Sequence, residues 1–219
     1  MTAGERGIWL DGPAHRDDLG TFAERTLRLD EAAVIRLRQR ADGHLVAWAA
    51  TGFDVLASRV VGGRVSPADL CVGADHLVGS LSAMDASGFV EPGFAMDSAW
   101  RGALPPDGGF AHLDDVPARA VLDLADRGAA LAKEHGSAHG PPASLLDQEV
   151  LAVSSGSAGV GIPMRCVFAL TALGFLPQNA DLVSPDEIVR VRVHPAWLRI
   201  DARFGSVYRR IGDPALVLR

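Results

Sequence analysis

Hydrophobic positions change their period several times along the chain. Leu19, Phe22, Ala23, Thr26 and Leu27 recur at helical spacing behind Asp17-Asp18, which predicts a short helix over 19–29 with acids at its positive end. From Val34 the period falls to two: Ile35 and Leu37 alternate with Arg36, Arg38 and Arg40, the pattern of a half-buried strand. Asp42-Gly43 supplies a hairpin turn. Strands over 44–51 and 53–61 complete a three-stranded antiparallel meander, with Gly62-Gly63 as its end. Pro67 suits the first turn of a helix over 68–84.

Residues 85–115 lose all periodicity and interleave Gly and Pro with Phe89, Phe94, Trp100 and Phe110; one hairpin is expected within 94–104. Asp114-Asp115 lead through Pro117 into a helix ending near Glu134, and the Gly/Pro-rich stretch 135–142 reads as a linker. Beyond it the pattern predicts a helix over 144–153, a Gly/Ser loop at 154–161, a helix over 162–174 and strands at 187–194, 196–201 and 206–211. The expected fold is α+β: two small antiparallel β meanders with helices. The expected domains are 1–115, holding the first meander, and 116–219, whose order of helices followed by a β wing is winged-helix-like.

The two meanders echo each other. Val34-Ile-Arg-Leu-Arg-Gln-Arg40 aligns without a gap on Ile188-Val-Arg-Val-Arg-Val-His194, and Phe53, Leu56, Arg59 and Val60 align on Phe204, Val207, Arg210 and Ile211 after a shorter turn. Two readings stand. One is a duplicated β unit. The other is the common look of outward-charged strands in a chain whose basic residues are, Lys133 aside, all Arg.

Charge narrows the function classes. The chain carries a net charge of −6, against wholesale attachment to nucleic acid or anionic lipid. Its last 33 residues reverse the sign, with seven Arg against Glu187, Asp201 and Asp213. Cys71 and Cys166 stand alone among apolar neighbours, as buried thiols do. Glu5 and Arg6 are followed by no apolar stretch of the kind a signal peptide needs, and 166–176 is too short to span a bilayer. A cytoplasmic protein without membrane contact is expected.

Three groups of residues could carry chemistry. Arg190, Arg192, Arg199, Arg203, Arg209 and Arg210 could form a guanidinium surface for nucleic acid, with Trp197 and Tyr208 to stack. Against this, the helix that would enter a groove, 162–174, has Arg165 as its only charge. Asp97, Trp100, Arg101 and Asp107 place an aromatic beside a guanidinium and carboxylates, a combination that can hold a small polar ligand. His135 and His139 have helical spacing for a metal, but their glycine and proline neighbours favour linker histidines. The Gly-rich run 154–161 lacks the strand and the Lys-Ser/Thr that phosphate-binding loops require. No nucleophile elbow or metal motif occurs, so neither a metal nor another cofactor is expected.

Leu29-Asp30, Ala33-Val-Ile-Arg-Leu-Arg38, His44–Ala49, Val55–Val61, Trp100-Arg-Gly102 and Asp114-Asp-Val-Pro117 together resemble an uncharacterised family of small proteins from high-GC Gram-positive bacteria. The resemblance implies no activity. The leading expectation is a non-catalytic binding or regulatory protein acting through protein contacts or self-association. The alternatives are a winged-helix-like nucleic-acid protein using its Arg strands, and a small-molecule binder or enzyme using residues 89–112.

Overall fold

A computed structural model describes residues 6–135, 140–156, 158–177 and 183–211. The chain divides into two units, Met1–Gly52 with Leu56–Ala103, and Phe53–Val55 with Leu104–Arg219.

The first unit runs through strand β1 (Gly7–Leu10), helix α1 (Pro13–Leu29), strands β2 (Val34–Gln39), β3 (His44–Ala50), β4 (Leu56–Ser66) and β5 (Asp69–Gly73), helix α2 (Ala74–Ser82) and strand β6 (Phe89–Val90). Pro13 occupies the first turn of α1, where a missing N–H costs nothing, so the helix begins before the expected 19. Leu19, Phe22, Ala23 and Thr26 form its buried stripe. The strands pair antiparallel in the order β5-β2-β3-β4, with β1 beside the far part of β4 and β6 beside β1.

Two expectations for this unit fail on glycine and proline. Strand β4 continues through Gly62-Gly63 to Ser66. A Cβ on Gly63 would lie 2.5 Å from the Trp9 carbonyl oxygen, so the bare backbone there admits β1 alongside and does not end the strand. Pro67 follows a cis peptide in the turn from β4 to β5. The apolar run Leu70-Cys71-Val72 is a buried strand, and the helix starts only at Ala74. In place of a hairpin over 94–104 there is one 3₁₀ turn, Asp97–Ala99.

The second unit runs through strand β7 (Ala111–Pro117), helices α3 (Ala118–His135) and α4 (Ala143–Leu146), strands β8 (Glu149–Ser155) and β9 (Ala158–Pro163), helix α5 (Met164–Ala172) and strands β10 (Ile188–His194), β11 (Trp197–Ala202) and β12 (Gly205–Arg210). Its main sheet is antiparallel in the order β7-β10-β11-β12, and β8 pairs with β9. This corrects the winged-helix-like assignment. The expected second helix, 144–153, is one helical turn followed by a strand, because Val150, Leu151 and Val153 suit a pleated surface. The expected loop at 154–161 supplies most of β9. Helix α5 is buried from Met164 through Leu170 and presents no recognition face.

The two meanders have the same strand order. Each also receives an outer strand, β5 against β2 and β7 against β10, and each follows a helix, α1 or α5.

Candidate nucleic-acid interface

Alternation along the strands decides which arginines face away from the helices. In the second unit Val189, Val191, Leu198, Ile200 and Val207 are buried, which leaves Arg190, Arg192, Arg199 and Arg210 on the opposite face. Arg190 donates two hydrogen bonds to Asp115 on β7, at 2.9 and 3.0 Å. Asp201 lies 2.6 Å from Arg199 and 3.2 Å from Arg192, and accepts the Ser206 hydroxyl at 2.5 Å. The Arg199 guanidinium also sits 5.4 Å from the Tyr208 ring centroid and 5.8 Å from that of Phe110, and Arg210 sits 5.9 Å from Trp197. Arg203, in the turn after β11, meets Glu187 at 3.4 Å. The register puts Arg209 opposite buried Leu198, on the α5 side. Four of the six arginines singled out from the sequence therefore share a face, and three of those four are matched by carboxylates.

The first unit repeats the arrangement. Arg36 on β2 donates two hydrogen bonds to Asp69 on β5, at 2.8 and 2.7 Å, and Arg38 approaches the same carboxylate at 3.3 Å. Sequence reading had Arg36 and Arg38 as strand positions. It missed Asp69 and Asp115, whose partners lie on strands distant in the chain.

Hydrogen bonds from Arg190, then from His112, hold the Asp115 carboxyl down to about 2. A folded-state value below the unfolded one stabilises the protein above pH 4, and that contribution is lost as pH falls from about 4 to about 2. Asp115→Asn is expected to cost about 1 kcal/mol at pH 7, solvent screening of this partly exposed pair included. Urea unfolding of the two proteins should differ at pH 7 and converge towards pH 2.

Asp97, Trp100 and Arg101 lie in the first unit. Asp97 accepts the Cys71 N–H at 2.9 Å and stands 3.9 Å from Arg6, which fastens its segment to the edge of β5. The Trp100 indole N–H donates to the Gly102 carbonyl at 3.1 Å, with Arg36 5.8 Å from its ring, and Arg101 is exposed. Asp107 is exposed and belongs to the second unit. The His135 and His139 side chains lie outside the described residues. Among the described residues no three His, Cys, Asp or Glu side chains are placed to hold a metal, and no helix is long and apolar enough to cross a membrane.

The helices carry balanced charge. Asp17, Glu24 and Arg28 line the exposed side of α1, Asp75 is exposed on α2, and α3 exposes Arg119, Arg127 and Lys133 against Asp123, Asp126 and Glu134.

Helix pairs α1–α2 and α3–α5, backed by antiparallel sheets, define a sliding-clamp-like fold. Solved structures that share it include the Caulobacter crescentus DNA polymerase III beta subunit (TM-score 0.58, 12% identity, 96% of this chain and 66% of that one). The DNA polymerase beta subunit of Streptococcus pyogenes (0.57, 10%, 95% and 65%) and the polymerase sliding clamp of Pseudomonas aeruginosa (0.54, 11%, 94% and 65%) are similar in the same way. The chain spans just under two thirds of the clamp chains it matches. By sequence it belongs to the family described as Domain of unknown function (DUF8185), matched over residues 105–214, and residues 3–102 match Domain of unknown function (DUF8010). Curated proteins give no match.

The likeness to clamps overturns the winged-helix-like fold. With it go the functional expectations stated above: the regulator acting through protein contacts, the winged-helix nucleic-acid protein and the small-molecule binder.

Proposed function

We propose that this chain is a clamp-type DNA-associated protein whose copies assemble around duplex DNA and hold it by enclosure. The observation that carries this reading is the likeness to polymerase clamps over 96% of the chain, both units included. The charge distribution says how such a protein would hold DNA. Most outward sheet arginines are matched by carboxylates, and the helices expose about as many acids as bases, so electrostatic grip is weak. Counterion release from about two phosphate contacts gives a salt slope near −2, far shallower than that of a protein gripping DNA by charge. One chain matches two thirds of a clamp subunit, so enclosure calls for self-association. A cytoplasmic location follows from the same role.

Retention on bead-bound plasmid tests the proposal. Protein cross-linked after loading is expected to remain on a closed circle through a high-salt wash and to leave when a restriction enzyme opens it. Equal retention on circular and linear DNA, or none on either, overturns it.

A further inference from the structure

Arg64 stands apart from the other arginines of the first unit's sheet. Arg36 and Arg38 spend their guanidiniums on Asp69, and Arg59 spends its own on Asp18. Arg64 is exposed on β4, and among the described residues it has no carboxylate partner; it rests on the Trp9 ring, 3.6 Å from the centroid. That is van der Waals contact, and it orders a long side chain while leaving its N–H donors unspent. Trp9 is opposite Arg64 in the β1–β4 register and opposite Phe89 in the β1–β6 register, with the two rings 5.4 Å apart. Gly7 makes room for this group: a Cβ there would lie 2.5 Å from the Trp9 ring and 2.8 Å from the Phe89 ring. Ile8 and Leu10 are buried in the core, so the alternation of β1 turns Trp9 to the other side, where it is half-buried.

We propose that Trp9, Phe89 and Arg64 form a station for single-stranded nucleic acid, in which unpaired bases stack on the group and Arg64 donates to a backbone phosphate. An aromatic pair alone would suit many partners. A pre-ordered cation with free donors on the same patch, in a sheet whose other arginines are matched to acids, selects the repeating anion-plus-ring chemistry of a single strand. The inference rests on the reading of the chain as DNA-associated. It assigns contacts to the sheet side of the first unit, which enclosure of a duplex does not require.

Fluorescence anisotropy with labelled dT15 and a 15-base-pair duplex, at low salt on the full chain, tests it. The wild-type protein is expected to prefer dT15, and Arg64→Ala, at an exposed site that leaves folding intact, to weaken dT15 binding about tenfold. Phe89→Leu, which keeps the apolar volume and removes the ring, should weaken it several-fold. Duplex binding equal to dT15 binding, or dT15 binding untouched by Arg64→Ala, overturns the station. Plasmid retention reports separately on enclosure: loss of circle-dependent retention with dT15 binding intact sinks the clamp and leaves the station, and the reverse pattern does the opposite.

Discussion

Gly63→Ala is expected to destabilise the first unit by about 3 kcal/mol. The added methyl would lie 2.5 Å from the Trp9 carbonyl oxygen and 3.2 Å from the Leu10 Cα, and both are backbone atoms that no rotamer change can move. Gly63 also has φ +152°, where an L side chain is strained. Relief requires β1 to pull away from β4, which breaks the pairing of Gly7–Leu10 with Gly63–Ser66 and exposes Ile8 and Leu10. A lower urea midpoint read by circular dichroism checks the figure. Gly43→Ala is the control, since nothing lies within 4 Å of a Cβ there and only its positive φ opposes the change. It should cost about 1 kcal/mol.

The second large effect separates two halves of one ion pair. Arg165 is 9% exposed, donates to the Phe53 carbonyl at 2.6 Å and to the Asp147 carboxylate, and has Asp54 at 3.9 Å. Asp147 and Asp54 are both open to water. Removing the base therefore leaves two carboxylates that solvent can hydrate, whereas removing Asp147 strands a buried guanidinium. Asp147→Ala is expected to cost about 2–3 kcal/mol, less than for a sealed pair because Asp54 remains near. Arg165→Met, which fills the same space, should cost under about 1.5 kcal/mol. Combining the two should recover stability relative to Asp147→Ala alone, and a double-mutant cycle in urea reads that coupling directly. A larger loss for Arg165→Met than for Asp147→Ala would overturn the argument.

The elements read correctly from the sequence were those whose pattern is local. Strands β2, β10 and β11 alternate between apolar and polar positions, and α3 holds helical spacing over several turns. The failures were short or uniformly apolar. Gly7–Leu10 is too brief to show a period, and Leu70-Cys71-Val72 is buried throughout, so nothing in it distinguishes strand from helix. Strand β8 was mistaken for helix because neither of its faces is fully buried. At the candidate interface the arginines were legible and their neutralisation was not. Nothing local to Arg190 announces Asp115, and nothing local to Trp9 announces Arg64. Each partner is supplied by strand pairing, which brings together residues far apart in sequence.

The matching Arg–Asp pairs also set a difference in timing between the units. Arg36 and Asp69 are separated by 33 residues, Arg190 and Asp115 by 75. Joining the outer strand to its meander therefore closes a loop more than twice as long in the second unit as in the first, at a correspondingly greater entropic cost before any native contact repays it. A newly made chain completes its first sheet early, while β7 waits with an unpaired edge until β10 has been synthesised and folded back. During that wait the second unit is the part of the molecule open to proteases and to pairing with other chains.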